Sequence, residues 1–528
     1  MRATATGKRP WVVSGGLACV LALLGVYAPA TGAATTKPSK PTAGGSVTYV
    51  RQTEPRNYDA AKMQVGPIAG ISAQALYDQL FYEDDSGNPT PGLATSLKVA
   101  QNNTIYTIKL RKGVTFTDGT PFDANAVIAH WTRIKDPAVA SPGLSDAQEI
   151  SSMRAVDAQT VEATLAAPDA TWRVPLMTGN LTYVPSPAAV AKFGATYGTS
   201  PQTTVGAGPY KLQELVFADH QTYVKNTNYW DAPKPYLDSM TFKVVPDLQT
   251  RYNTFVSGGG DLIDNLNPGA TNVELNKNYH NISPPVAGGG YGVSLNTTKA
   301  PTDDPDVRLA LAYAINRDAL VQRAAVGTIP ATTLYDKTVP WYSNLPIPNN
   351  NLKKAQSLID GYLKRTKTDT VTVDIAASEA AAVIMQSAQQ DWSKVKGLTV
   401  NVTIESLTQN AARIGRRDYP NGLSGGCGGC GTPRGILRGL NSASSTNIPF
   451  LNDPQMDAAT QTANETANPE QVKAAMTNAA QRFNATMPVL LFYRLSSAVW
   501  TQENIKGVAG MPDAVVVFKT QDLYKTKA

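Results

Sequence analysis

Apolar residues recur at two different periods within one stretch, and that mixture limits the chain to folds combining helices with sheets. Between about 60 and 175, Ile68, Ile71, Ala75, Leu76 and Leu80 have the spacing of a packed helix, and Pro67 suits its start. From Asn103 to Leu110, Ile105, Tyr106, Ile108 and Leu110 are set among polar residues roughly as in a half-buried strand, and Thr160 to Ala166 repeats the pattern. Arg111-Lys112-Gly113 turns the first of these strands, and Phe116 to Pro121 makes a second strand end and turn. Asp123 predicts a cap for a helix over Asn125 to Arg133. Farther on, Val307, Leu311 and Ile315 share one helical face. Val472, Met476, Ala479 and Phe483 share another, over Gln471 to Phe483.

The chain has 528 residues, of which 42% are hydrophobic and 17% charged, so it can bury large cores and is neither disordered nor fibrous. Roughly three units are expected from that length. Lys and Arg number 47 against 41 Asp and Glu, a net of +6. Arg2, Lys8 and Arg9 belong to an N-terminal targeting pattern; without them 44 oppose 41, a net of +3. Such a mixed surface gives no argument for nucleic acid.

Those three basic residues precede a short apolar run, Trp11 to Val26, and small residues at Ala28, Ala30, Gly32 and Ala34 offer cleavage positions. We read 1–34 as an export signal, which predicts a periplasmic or extracellular, cell-surface-associated protein. The run is too short and too broken by Ser14, Gly15, Gly16 and Gly25 for a membrane span. A lipid anchor through Cys19 is disfavoured, because Gly16-Leu17-Ala18-Cys19 lacks Leu three positions before the cysteine. Cleavage there would also cut the apolar run in half. Residues 35–45, rich in Thr, Lys, Pro and Gly, read as a flexible leader, and Ser46 to Tyr49 as the first strand. No internal repeat points to a solenoid.

No Ser-His-Asp arrangement, His-Glu-x-x-His motif, phosphate loop or dinucleotide fingerprint is present, and no pair of acids stands out as catalytic. No catalytic residue, cofactor or metal ligand set is therefore expected. The three histidines, His130, His220 and His280, are far apart. Cys427 and Cys430 have Cys-x-x-Cys spacing inside Gly425 to Arg434. In an exported chain this reads as a local disulfide, with a pair of small buried thiols as the alternative. A redox site of thioredoxin type lacks its fold context, and structural zinc needs more ligands.

A long ordered block carries a resemblance. Pro91 to Leu97, Thr104 to Val114, and Phe116 with Asp118-Gly119-Thr120-Pro121-Phe122 resemble the extracellular solute-binding proteins of ATP-driven importers, in the peptide, nickel and opine family. Val205 to Leu212, Asn226 to Trp230 with Pro235 to Asp238, Gly258 to Asp261, Asp306 to Leu320, Asn351 to Tyr362 and Met487 to Tyr493 extend it along nearly the whole mature chain. Asn316 stands where the family has an Asp. From the residues alone, Gly206, Gly208 and Pro209 ask for a tight backbone course, Tyr210 for aromatic packing, and Arg308 and Arg317 for solvation or ion pairing.

The resemblance implies an α/β, two-lobed periplasmic-binding-protein-like fold of the large class II type with an inserted α+β domain. It implies lobe I from 46–60, 176–285 and 496–528, an inserted domain over 61–175, and lobe II over 286–495. A monomer is expected that closes on a peptide or other small organic solute and presents it to a membrane permease, without catalysis. An oligosaccharide, a metal chelate or a purely sensory role remain alternatives. Asn57, Tyr58, Tyr291, Cys427, Cys430 and Arg434 are the expected ligand contacts. Related peptide binders carry a Gly-Trp segment after the Asp418-Tyr419 position, then an Asp that pairs with a peptide ammonium. Cys427 matches that Trp and Cys430 that Asp, which puts a conventional peptide-terminus pocket in doubt.

Overall fold

The computed structural model describes residues 40–526, apart from 67–68, 85–86, 266–269, 283–287, 428, 445, 495–497 and 509–517. The export signal, Cys19 and residues 35–39 of the leader lie outside the described residues, as do Pro67 and Ile68.

Three sheets organise the chain. A seven-stranded sheet runs in the order 280–281, 498–501, 262–265, 46–51, 239–244, 220–225, 210–216. Its central strand Ser46–Arg51 is parallel to both neighbours, Ser239–Val244 and Leu262–Asn265. Val47 and Tyr49 on this strand enter a core shared with Tyr210, Tyr223 and Phe242. We call this lobe I. A five-stranded sheet runs in the order 398–405, 371–378, 422–424, 291–295, 489–493 and forms the centre of lobe II. Val371–Ser378 is parallel to Leu398–Glu405, and helix Ala382–Trp392 makes the crossover between them. The third sheet is four-stranded and antiparallel, in the order 94–100, 105–110, 160–165, 150–157.

The paired strands and the capped helix take the form their spacing predicts, whereas Leu80 and Ile315 lie just past the ends of their helices. Strands Ile105–Leu110 and Thr160–Leu165 pair with each other, and Asp123 accepts a hydrogen bond from Ala126 N (3.0 Å) at the start of helix Ala124–Lys135. This helix packs Trp131 edge-on against Trp172, which meets Tyr106 in the same way. The early helix spans Gly70–Tyr77. Gly206 and Gly208 pass so close to it that a Cβ on Gly206 would overlap Leu76 O. Tyr210 is buried, and its hydroxyl donates to Thr520 O (3.5 Å).

Arg308 and Arg317 correct one expectation. Neither is solvated or held by a carboxylate; both are buried and donate to backbone carbonyls. Arg317 reaches Leu491 O and Pro348 O, both at 2.5 Å, and Arg308 reaches Thr486 O (2.6 Å) and Thr302 O (2.7 Å). Helices 305–314 and 317–324 bring them onto loop carbonyls, the helix end at Thr486 and the edge strand 489–493. A guanidinium with five donors satisfies several of these at once.

Candidate solute-binding cleft

Strand Gly422–Ser424 ends at a glycine-rich loop that cannot spread freely. Gly426 has φ +69°, and a Cβ there would overlap Gly290 O and lie 2.6 Å from Gly292 N. The loop can therefore lie flat on the chain that leads into strand Tyr291–Leu295. Cys427 N donates to Gly290 O (2.9 Å) and Gly290 N to Cys427 O (3.0 Å), a one-residue extension of the sheet. Ser294 Oγ adds a bond to Gly426 O (3.2 Å).

The structure joins Cys427 and Cys430 in a disulfide with Cα atoms 5.4 Å apart. Cys430 is wholly buried and Cys427 half-buried. Both sulfurs sit over Gly439, where a Cβ would come within 3.1 and 3.3 Å of them. Gly439 belongs to helix Pro433–Leu440, which Thr432 caps by accepting from Gly435 N (3.0 Å). The disulfide is neutral at any pH, so this part of the loop offers no anion to a ligand's ammonium.

The chain beside the loop is equally fixed. Tyr291 stacks on Tyr493, with ring centres 5.4 Å apart and planes at 21°. Arg494, buried, donates to Gly289 O (2.5 Å), Leu334 O (2.9 Å) and Thr333 O (2.5 Å). Burial pulls its pKa down to about 10, with Asp336 opposing. Trp341 Nε1 donates to Gly431 O (2.8 Å). Tyr291, Cys427 and Cys430 are thus gathered at one place in lobe II, beside Gly288–Gly290 and Arg494.

The other expected contacts lie elsewhere. Asn57 is half-buried and accepts from Asp59 N (3.2 Å). Tyr58 is fully enclosed in the lobe I core, and Tyr77 donates to its carbonyl. Burial raises the Tyr58 phenol pKa, helped by Tyr223 and Glu54. Arg434 is buried and committed to carboxylates: Asp146 (2.6 Å), Glu149 (2.7 Å) and Asp169 (2.5 Å). Its guanidinium is held by charge on the four-stranded unit, which does not leave it facing a solute.

Sequence reasoning passed over Arg494, Trp341 and this acid cluster. Arg494 follows a strand already singled out, yet nothing in its spacing marks it as the group that gathers three carbonyls. The histidines have separate roles. His130 is buried against Asn180 O (2.9 Å), His220 pairs with Asp219 (2.7 Å) and Glu214 (3.2 Å), and His280 is exposed. Among the described residues, no group of three or more His, Cys, Asp or Glu could hold a metal ion.

Comparison with known proteins agrees with this architecture. The glutathione-binding protein GsiB of Escherichia coli is 30% identical over 473 residues, covering 85% of this chain and 89% of GsiB. The Escherichia coli murein tripeptide binding protein MppA superposes with a TM-score of 0.78 at 22% identity, covering 93% of this chain and 100% of MppA. The periplasmic binding protein DppA of Helicobacter pylori, in complex with the peptide STSA, superposes with a TM-score of 0.77 at 23% identity, covering 92% of this chain and 99% of DppA. The sequence signature described as "Bacterial extracellular solute-binding proteins, family 5 Middle" matches residues 88–447, a span that holds both the four-stranded unit and the disulfide loop. With its two lobes and this match over most of its length, the chain belongs to the bacterial extracellular solute-binding proteins of family 5.

Proposed function

We propose that the protein, once exported, captures a peptide-like solute between its lobes and hands it to the permease of an ATP-driven importer. The observation that carries this reading is the family match over residues 88–447, together with the named ligands of its relatives: glutathione for GsiB and murein tripeptide for MppA. Tyr291, Cys427 and the flat backbone of Gly425–Gly426 are the lobe II contacts in this account. Its chemistry is capture and release, so the solute leaves unchanged.

The solute's amine is not held by a buried anion at the disulfide. A desolvated ammonium needs a charged partner, and a neutral Cys427–Cys430 pair supplies none. Native mass spectrometry of the protein as purified, followed by a thermal-shift panel of short peptides, identifies a binder. Isothermal titration then compares that peptide with its N-acetyl form. The affinities are expected to agree within about tenfold. A loss of about 3 kcal/mol or more on acetylation would reveal a buried charge partner and reject this part of the proposal. Steady turnover of the solute would reject the capture reading itself.

A further inference from the structure

Helix Pro433–Leu440 connects two places that the sequence keeps apart. Its start follows the disulfide loop on Gly290, and its arginines reach the four-stranded unit. Arg434 meets Asp146 on helix Leu144–Gln148, Glu149 just after it, and Asp169 beyond the strand Thr160–Leu165. Arg438, one turn on, pairs with Asp146 and donates to Ser145 Oγ (3.1 Å). Neighbouring contacts cross the same boundary: Ala170 N to Asn464 O (2.8 Å), Thr171 Oγ1 to Asn464 Oδ1 (2.8 Å) and Asn103 Nδ2 to Glu465 O (3.0 Å). Among the described residues, the hydrogen bonds and ion pairs between lobe II and the remainder of the chain all end on this unit. The unit is bound in turn to lobe I, through the Arg133–Asp59 ion pair (2.5 Å), Gln79 Nε2 to Met177 O (2.5 Å) and Trp131 Nε1 to Leu181 O (2.8 Å). A contact that grips the unit therefore grips lobe I.

The cluster is unbalanced. Asp146, Glu149 and Asp169 face two paired guanidiniums, Arg434 and Arg438. Arg173 is close but donates to Ala170 O (2.8 Å), and Lys135 is turned to the carbonyl of Ile150. The Tyr106 hydroxyl donates to Asp169 O. One carboxylate oxygen, Glu149 Oε2, is buried with no hydrogen-bond partner. An orphan acceptor beside a surplus negative charge is the arrangement that a single proton would relieve.

We propose that Arg434 and Arg438 with Asp146, Glu149 and Asp169 form a latch that holds lobe II closed on the four-stranded unit, and that the latch takes up one proton at Glu149 when it engages. The inference uses the two-lobed closure of the capture reading but needs no solute. Burial pushes the Glu149 carboxyl up to about 7; Arg434 opposes the rise, and Asp169 and Asp146 add to it. Once the latch parts and the group meets water, its pKa returns towards the ordinary value near 4.5. A higher pKa in the closed state means that closure binds the proton. Engagement is therefore fully favoured below about pH 4.5 and weakens as pH rises through about 7.

The test uses ligand-free mature protein and small-angle X-ray scattering at about pH 5 and about pH 8. The wild type is expected to be more compact at the lower pH, with the closure equilibrium moving by at least about tenfold between the two. Glu149→Gln, which carries the extra hydrogen permanently, is expected to be compact at both. Arg438 is 38% exposed at its side chain, so Arg438→Gln leaves the core intact and is expected to be more open at both. A wild-type radius of gyration that ignores pH, or a Glu149→Gln protein more open than wild type at about pH 8, would overturn the proposal. A protein that still binds its peptide with a pH-independent radius would lose the latch and keep the capture reading.

Discussion

Replacing both cysteines, Cys427→Ala with Cys430→Ala, should free the glycine loop from the chain beside it without unfolding lobe II. The two residues are separated by 3 positions. Closing so short a loop removes about 6 cal/mol/K of chain entropy from the open form, or about 2 kcal/mol at 25 °C. The packing lost where Cys430 is buried against Gly439 adds about 1 kcal/mol. Only the first quantity bears on local opening, since an opened loop still keeps its crosslink in the wild type. Two kcal/mol corresponds to a protection factor of about 30. Native-state hydrogen exchange read by mass spectrometry on peptides covering 288–292 and 425–431 measures it, because Gly290 N and Cys427 N bond across the two segments. Protection there is expected to fall about 30-fold, and dithiothreitol treatment of the wild type should reproduce the change. A fall of less than about threefold would show that the backbone bridge and Trp341, not the crosslink, hold the loop. Loss of protection extending into lobe I would refute the local character of the effect.

Two further perturbations test the packing that carries the site. His130 is buried with Nε2 on Asn180 O, and burial lowers its pKa from 6.5 to about 4, a penalty of about 3 kcal/mol on the charged form. Since the folded value is the lower one, stability from this group is complete above about pH 6.5 and is lost as pH falls towards 4. Urea midpoints over that range should show a shallower acid loss in His130→Phe than in wild type; parallel curves would reject the assignment. Gly206→Ala, whose Cβ would overlap Leu76 O and stand 2.6 Å from Tyr77 Cδ1, is expected to lower stability by about 1–3 kcal/mol. A urea midpoint equal to wild type would show that the backbone yields there.

Period and capping made much of the fold legible. Asp123 marks a helix start because its carboxylate accepts a backbone amide that the helix leaves free. The alternation of Ile105 to Leu110 reads as a strand because one face is buried and the other is not. The spacing of Gly206 and Gly208 correctly implied close backbone approach, here onto helix 70–77. Long charged side chains were much harder to place. Arg308, Arg317, Arg434 and Arg494 are all buried, and each donates to groups distant in the chain or to carbonyls that have no sequence signature. Whether an arginine meets water, a solute or a carbonyl is decided by tertiary contact. The same holds for Tyr58, where position after the first strand suggested a cleft and the core of lobe I encloses the ring.

A crystal structure of the protein with the peptide retained from native purification tests capture between the lobes most directly. The account predicts the peptide enclosed between the end of strand Ser46–Arg51 and the loop at Gly425–Cys427, with Tyr291 against it and no carboxylate on its amine from the disulfide loop. An open groove of about 890 Å³ lies elsewhere, between Asn102–Asn103 and the helices Pro454–Glu465 and Pro469–Thr486. A peptide found in that groove, with the space beside Cys427 filled by protein alone, would contradict the account.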